Sequence, residues 1–592
     1  MPLRFRSLRR REIECCAANR AGLAGLCAGV LLATGTLCAP FLAAQNGKPH
    51  DAKQATQKNE LNRAFRGRLP ITELTENEAT LHALNRLAYG PRPGDVERVE
   101  QMGLEKWIDL QLHPERIDDG ALDARLQQYP AIRMSTEELL SRYPRPNQQA
   151  QQQGQSRQQF QQQRRQQQGQ GQGDAQDAKN RPQEIVLELS QAKMTRAIYS
   201  ERQLQEVMAD FWFNHFNVFV GKGPERWFLP SYERDVIRPH TLGKFRDLLY
   251  ATAKSPAMLF YLDNWMSTRE GLDLAALRRS GVPVPKKLAE LGKLGLNENY
   301  ARELLELHTL GVDGGYTQTD VREVARCFTG WGIEKPRQVG TFAFHPLAHD
   351  AGEKHLLGTT VAAGGGMDDG ERVLDLLAAH PSTAHFLARK LAQKFVADEP
   401  PPALVERLAE TYLKTHGDLT QVYLALFQSP EFWSEQAFNA KTKTPLEFAV
   451  SAVRALGGNT YGDGPLVKAV DAMGEQLYRA QPPTGWPEVA TPWVNAGALV
   501  TRINFALALT AGRIPGTQVG LPPEAAGTSP SASVDALARA VLHVPLSETT
   551  RATLLRALGQ GENDVMPDGE RRPMDSAKVA GLLLGSPEFQ KQ

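Results

Sequence analysis

Apolar residues recur along most of the chain at the spacing of a single helical face. The clearest stripe has the i, i+3, i+4, i+7, i+8, i+11 spacing of an amphipathic helix and consists of Leu204, Val207, Met208, Phe211, Trp212 and His215. Similar stripes predict helices in residues 245–250, 288–310, 321–328, 373–395, 404–427, 445–456 and 494–509. Strand-like alternation is nearly absent, apart from residues 341–357. The pattern predicts a mainly α fold: a multi-helix globular domain with long loops and at most a small β-hairpin.

Helix-start signals agree with these stripes. Thr75 and Glu78 have the spacing of a capping box at the start of a helix over residues 76–88, and Thr317 with Asp320 has the same spacing before residues 321–328. A proline at position 93 and Gly103 delimit a second helix, and a third is predicted over residues 104–112.

The first 44 residues have the layout of a secretory signal peptide. Six arginines precede an apolar stretch over residues 21–37, and small residues follow at 42–44. Residues 21–44 are also long enough to span a bilayer, so a retained anchor is the alternative to cleavage. We expect an exported protein, periplasmic or extracellular, that touches a membrane only through this segment if it is uncleaved.

The rest of the chain divides by composition. Residues 45–70 are polar and unpatterned, which predicts a flexible tether. The helical domain is predicted over residues 71–592, interrupted at 147–180 by a Gln-rich insertion. Sixteen of the 25 residues from 148 to 172 are glutamine, and such a stretch buries too little apolar area to offset the entropy of ordering it. The insertion is therefore predicted to be disordered.

Charge and cysteine content exclude several classes of protein. Lys+Arg 68 against Asp+Glu 67 gives a net charge of +1, so the chain has no basic field to hold nucleic acid. Four of the five cysteines lie in residues 1–44. Cys327 is left alone, which excludes an intramolecular disulfide and a Cys-rich zinc site in the mature chain.

The densest polar segment covers residues 297–311. At 100° per residue, one helical face carries Asn299, Arg302, Glu303 and Glu306. The opposite face places His308 among apolar neighbours, Leu307 included. The polar face is either solvated or lines an internal cleft. In the cleft interpretation, Glu303 or Glu306 acts as a general acid or base.

Two further segments carry histidines. His215 extends an aromatic stripe, where it is either a buried, hydrogen-bonded residue or a ligand or general base. Residues 344–355 form a loop with His349, Asp350 and Lys354, and imidazole with carboxylate suits several metals, zinc and iron among them. The candidate ligands of a divalent or transition metal are His215, His308, His349 and Asp350.

A loop rich in proline and glycine places two tryptophans near the C-terminal end. Residues 481–487 and 493–495 contain Trp486 and Trp493. The loop either stacks on a sugar or apolar ligand or closes the core.

Seven short motifs, found in the same order, resemble those of a bacterial family catalogued as domain-of-unknown-function family 1800. They lie at residues 84–91, 213–216, 297–311, 316–321, 328–331, 349–354 and 485–487. The resemblance runs from about residue 77 to 590 and excludes the Gln-rich insertion. His355 departs from the pattern, because the family loop commonly has a hydroxyl residue after the lysine. The resemblance implies an exported, mostly helical protein, often encoded beside a sulfatase-like partner, and implies no established reaction.

These features agree with two functions. The first is an envelope-associated enzyme, a hydrolase or a metal-dependent enzyme, that acts on an envelope polymer. Its predicted catalytic residues are Glu303, Glu306, His215, Arg302 and Lys354. The second is a non-catalytic envelope scaffold or ligand-binding protein, in which the same polar groups form a buried network. The enzyme hypothesis requires the three polar segments to converge on one solvent-reachable cleft.

Overall fold

A computed structural model describes residues 72–144, 181–281, 295–462, 464–522, 530–557 and 575–592. The predicted signal peptide (1–44), tether (45–70) and Gln-rich insertion (147–180) lie outside the described residues. The fold is mainly α, as predicted.

Helices α1 to α12 lie before the first strand in the chain. In chain order, α1 to α12 are Glu76–Arg86, Asp95–Met102, Leu104–Leu112, Gly120–Leu126, Thr136–Arg142, Pro182–Tyr199, Gln203–His215, Glu225–Ser231, Phe245–Lys254, Pro256–Tyr261, Leu274–Arg279 and Asn299–Glu303. Two π-helical stretches follow directly on α8 and α12, at Tyr232–Ile237 and Leu304–Thr309. The second is called the π segment below.

The second half of the chain continues with α13 to α24. In order these are Gln318–Cys327, Asp368–Ala378, Pro381–Phe395, Pro402–Lys414, Leu419–Phe427, Pro445–Ala455, Gly464–Ala472, Ala496–Thr510, Pro530–Leu542, Glu548–Ala557, Ser576–Leu584 and Pro587–Gln590. Two of the long predicted stripes, at 373–395 and 404–427, each contain two helices. Pro381 starts a new helix at its first position, and Gly417 has a φ of 72° between the other two.

The predicted N-terminal helices and their caps are confirmed. The Thr75 side chain accepts a hydrogen bond from the Glu78 amide, while the Glu78 side chain accepts one from the Thr75 amide. The same reciprocal pair joins Thr317 and Asp320 at the start of α13. In each case the cap satisfies amides that the first helical turn leaves without a backbone partner.

Strands form three two-stranded antiparallel sheets in the described chain. They pair β1 with β2, β3 with β4 and β5 with β6, and their bounds are Trp331–Glu334, Thr341–Phe344, Lys354–Leu356, Thr359–Val361, Asn459–Thr460 and Thr517–Gln518. The stretch 341–357 therefore belongs to two hairpins, one formed with the preceding residues and one with the following residues. Strands of two to four residues are too short for alternation to reveal their partners.

Helix α18 lies at the centre of the core. All of its residues are buried, including Glu447 and Arg454. The Arg454 guanidinium donates to the backbone carbonyls of Gly90 and Ile198, at 2.8 and 2.7 Å, and pairs with Asp95. One extended hydrophobic cluster surrounds this helix, and a smaller cluster packs around Trp227.

Among the residues with described positions, no helix combines the length and apolar character needed to cross a bilayer.

The cap of α13 provides a test of the fold. We expect Thr317→Ala to lower the free energy of unfolding by about 1 kcal/mol, because it leaves the Asp320 amide without its side-chain partner. The measurement is guanidinium denaturation. Thr319→Ala is the matched control, since Thr319 is exposed in the same first turn, and its effect should stay within about 0.5 kcal/mol. Equal losses in the two variants would contradict the capping role.

Candidate functional site

The polar segment at 297–311 folds as α12 followed at once by the π segment. The amide of Leu310 donates to the carbonyl of Leu305 at 2.9 Å, an i→i+5 bond, and the Thr309 hydroxyl donates to the Leu304 carbonyl at 2.6 Å. The wider turn changes the helical phase, so Leu307, expected on the apolar face, is half-buried. Such π-helical turns within helices are frequent at functional sites.

His215 is the last residue of α7 and joins this helix to the π segment. Its Nε2 lies 3.1 Å from the backbone carbonyl of His308, which can only accept, so Nε2 donates. Nδ1 is then the acceptor, and the Lys390 ammonium lies 3.1 Å from it. Burial, and then the charge of Lys390, lowers the pKa of His215 well below its usual value. His215 is therefore a neutral, fully hydrogen-bonded imidazole.

His308 lies beside His215 with a ring-centroid separation of 6.2 Å. It is buried, and its Nε2 has no hydrogen-bond partner within the described part of the chain. Burial, together with the charge of Lys390, lowers the pKa of His308 to about 3. This imidazole is held neutral by the cost of burying a charge.

Lys390, on α15, is the cation shared by these two histidines. Burial lowers the pKa of its amine to about 8, and the charge of Glu488 offsets part of that decrease. Its ammonium also lies 5.6 Å from the centre of the Phe386 ring. Lys390 is thus an amine whose direct hydrogen-bond partner is an imidazole nitrogen.

Glu303 and Glu306 are half-buried on the other side of the same helix. Burial, and then the charge of Glu306, raises the pKa of Glu303, while Arg302 offsets part of the rise. The Tyr316 hydroxyl donates to Glu306 Oε2 at 3.3 Å. Glu303, a carboxyl with a raised pKa, is thus influenced by a second carboxylate, that of Glu306.

Arg302 is engaged at the edge of this pair. Its guanidinium lies 3.3 Å from Glu298 Oε2 and 3.0 Å from the Gln318 side-chain oxygen. It therefore links α12 to the start of α13.

The loop at 344–355 forms a second polar group. His349 Nδ1 lies 2.9 Å from the Thr329 carbonyl, and its Nε2 lies 3.2 Å from Asp369 Oδ2. Lys354 donates to the same Asp369 oxygen, and the side chains of Lys354 and Asp369 have no solvent exposure. Lys354 is thus the buried partner of a carboxylate, sealed from any substrate.

Asp350 has other partners than His349. Its carboxylate accepts from the Arg326 guanidinium at 2.9 and 3.1 Å and from the Gly352 amide at 2.9 Å. Hydrogen bonding to Arg326 is the main cause that lowers the pKa of Asp350.

The predicted metal ligands are not brought together. Within the described residues, His215 and His308 share one cluster, whereas His349 and Asp350 contact Thr329, Asp369 and Arg326. Both ring nitrogens of His215 and of His349 already have protein partners. In the same part of the chain, no three His, Cys, Asp or Glu side chains are placed to hold a metal ion. The sequence could not reveal this, because the partners that occupy the ring nitrogens come from distant parts of the chain.

The tryptophan loop, residues 480–488, lies against the carboxyl end of α7. Asn214 donates to the Trp486 carbonyl at 2.8 Å and accepts from the Trp486 amide at 2.6 Å. Asn217 donates to the carbonyls of Ala480 and Pro482 at 3.0 and 2.8 Å. The loop thus belongs to the same region as His215.

Of the three segments predicted to converge, two do so. α7 and the α12–π helix meet at His215 and His308, and the tryptophan loop joins them. Across the described residues, the side-chain contacts of His349 and Lys354 lead to Thr329, Phe344, Asp350 and Asp369 instead.

Sequence reasoning missed two residues of these groups. Asp369 follows a run of three glycines, and a Cβ on Gly365 would lie 1.9 Å from its Oδ1. That glycine run next to an acidic pair was a signal of close packing around a carboxylate. Lys390 lies within an ordinary amphipathic helix, and nothing local marks it as a partner of His215.

Comparison with known proteins identifies one family. The model of a family described as "Protein of unknown function (DUF1800)" matches residues 82–591. The chain has no match among curated proteins and none among solved structures.

Asp369 provides a test of the second polar group. We expect Asp369→Asn to lower the free energy of unfolding by about 3 to 5 kcal/mol, because it leaves the buried Lys354 charge without its carboxylate. Urea denaturation measures the loss. Asp368→Asn is the matched control, since Asp368 is exposed at the preceding position. A change below about 1 kcal/mol for Asp369→Asn would contradict this role.

The buried histidines predict a pH dependence of stability. The pKa of His308 is about 3 in the folded protein and about 6.5 when unfolded, so below pH 6.5 the unfolded chain binds the extra proton. Stability should therefore fall with decreasing pH between about 6.5 and 3, by about 1.4 kcal/mol per pH unit for this group.

The measurement is urea denaturation at several pH values. His308→Gln should reduce the slope of unfolding free energy against pH over this window by about that amount. The exposed His355→Gln serves as the control and should keep the wild-type slope. An unchanged slope in His308→Gln would show that the imidazole is already solvated.

Proposed function

The chain belongs to the DUF1800 family of proteins of unknown function, and we propose that it is an exported envelope enzyme that hydrolyses or otherwise modifies an envelope polymer by acid–base chemistry. Across the residues that the structure describes, the cleft formed by all three polar segments is not present, since His349 and Lys354 bond to Thr329 and Asp369, so the proposal takes a narrower form. The observation that carries it is the pair Glu303 and Glu306. Burial and the neighbouring carboxylate raise the pKa of Glu303, and both side chains are half-buried and so reachable from solvent. The two together can deliver one proton and accept another.

In this proposal Glu303 is the general acid. Its raised pKa keeps the carboxyl protonated at a higher pH than an ordinary glutamate, so it can donate a proton to the leaving group. Glu306 accepts the proton of the attacking water, while the Tyr316 hydroxyl fixes the orientation of its carboxylate. Arg302 is a positioning residue, since it ties α12 to Gln318.

His215 also acts as a positioning residue. Its Nε2 proton is used on the His308 carbonyl and its Nδ1 faces Lys390, so it holds the π segment that carries Glu306. Lys354 has no part in this chemistry, because its side chain is fully buried against Asp369.

Export and partners rest on the sequence. The arginine-rich start and the apolar stretch at residues 21–37 support secretion to the periplasm or the cell exterior. We propose an envelope polymer as substrate and a sulfatase-like protein as partner. The near-zero net charge argues against nucleic acid as a ligand.

A second function is favoured by a different observation. His349, Lys354 and Asp369 are buried and bonded to each other or to backbone, as are His215 and much of its surroundings. Networks of this kind stabilise one helix packing without any reaction. They support a non-catalytic envelope scaffold or ligand-binding protein as the alternative function.

Glu303→Gln tests the enzymatic proposal. The purified chain without residues 1–44 is incubated with peptidoglycan sacculi and with extracted envelope polysaccharide, and released fragments are quantified by mass spectrometry. We expect Glu303→Gln to lower the rate of release at least about 100-fold, because it removes the transferable proton. The wild-type rate should fall as pH rises through the raised pKa of Glu303, since the acid is then deprotonated.

Glu431→Gln is the matched control. Glu431 is a half-buried carboxylate that pairs with Arg407, outside the proposed site, and Glu431→Gln should keep the rate within about threefold. Wild-type release that survives Glu303→Gln would overturn the assignment of the acid. No release from any polymer by the wild-type chain would overturn the enzyme proposal in favour of the scaffold.

A further inference from the structure

The tryptophan loop presents one aromatic ring at the surface. Trp486 is half-buried, while Gln481, Thr484 and Pro487 beside it are exposed. Trp493 lies behind it: that ring is buried, its centroid is 6.0 Å from that of Trp486, and its Nε1 donates to the Pro487 carbonyl at 3.0 Å. One tryptophan thus supports the loop and the other is partly exposed.

Side chains from outside the loop form hydrogen bonds with its backbone. Asn214 bonds to both backbone groups of Trp486, and Asn217 donates to two carbonyls of the loop. The Tyr261 hydroxyl donates to the Gln481 carbonyl at 2.8 Å. Three side chains, Asn214 in α7, Asn217 just after it and Tyr261 in α10, therefore fix the backbone of a loop that has several exposed side chains.

Gly485 shows how close this attachment is. Its φ is 71°, and a Cβ at this position would lie 2.3 Å from Asn214 Oδ1 and 2.4 Å from the Asn214 carbonyl. Any other residue would push the loop away from α7. The position of the Trp486 ring is thus set before a ligand arrives, which lowers the entropic cost of binding.

A chain of contacts links the loop to α12, the helix that carries Glu303. The Tyr261 hydroxyl donates to the Gln481 carbonyl at 2.8 Å, and the carbonyl of the next residue, Leu262, accepts from the Asn299 side chain at 3.3 Å. Asn299 lies one helical turn before Glu303. The charge of Glu303, after burial, also raises the pKa of Tyr261.

We propose that Trp486 is a substrate-binding residue and that its ligand is a sugar ring of a glycan polymer. The inference rests on the proposed function, whose substrate class it names. A sugar has one apolar face of C–H groups and a rim of hydroxyls. That shape matches a partly exposed indole in a loop where the polar residues Gln481 and Thr484 are exposed. A lipid would need a continuous apolar surface, which these polar neighbours interrupt.

Binding of insoluble glycans tests the proposal. The purified chain without residues 1–44 is co-sedimented with peptidoglycan sacculi, chitin, cellulose and the extracted envelope polysaccharide. We expect the wild-type chain to bind at least one of them, and Trp486→Ala to weaken that binding at least about tenfold. Trp486→Tyr should restore binding to within about threefold, which excludes misfolding as the cause of the loss.

Tyr461→Ala is the matched control, because Tyr461 is an exposed aromatic residue outside the tryptophan loop. It should bind like the wild type. The inference is overturned if the wild-type chain binds none of the four glycans, or if Trp486→Ala binds as tightly as the wild type.

Binding and turnover, measured separately, distinguish the Trp486 site from the proposed reaction. Glu303→Gln should bind the glycan normally while losing turnover. If Glu303→Gln loses turnover but Trp486→Ala keeps full binding and turnover, the reaction stands and the Trp486 site is wrong. If Trp486→Ala loses binding but the wild-type chain releases no fragments, the protein binds glycan without cleaving it.

Discussion

The carboxyl end of helix α7 is the constraint on which the candidate site depends. Three polar side chains there bond to the backbone of segments far away in the sequence: Asn214 to Trp486, His215 to His308, and Asn217 to Ala480 and Pro482. Each bond satisfies a buried or partly buried carbonyl that otherwise would lose its water without replacement. The π segment and the tryptophan loop are therefore held to one helix end, and their spacing is set by it.

Helix α15 carries two lysines, and their partners differ. Lys394 lies 2.8 Å from Glu447 and 3.4 Å from Glu488. Burial alone would raise the pKa of Glu447, but the Lys394 charge and hydrogen bonds lower it to about 2. Lys390, one turn earlier on α15, faces His215 instead. The same helix thus carries one lysine stabilised as a cation and one that burial pushes toward the neutral amine.

The sequence predicted the helices well where local chemistry decides them. The Thr75 and Thr317 capping boxes and the helix at 104–112 depend on residues within one turn of each other. The burial of His308 also followed from the helical stripe. The half-buried position of Leu307 was not predicted, because a π-helical turn contains more residues than the 100° periodicity of an α-helix assumes. Asp369 was missed since its partners, His349 and Lys354, are brought to it by two hairpins whose strands have only three or four residues.

The sequence by itself determined the helical class, the family, the caps and the set of polar side chains available for chemistry, because each is written in local spacing and composition. Only the tertiary structure decided how those side chains are used. It buried Lys354 against Asp369, paired Asp350 with Arg326 and left Glu303 and Glu306 half-exposed. Desolvation and hydrogen-bond pairing depend on which distant segments meet, and a single chain of residue types does not contain that information.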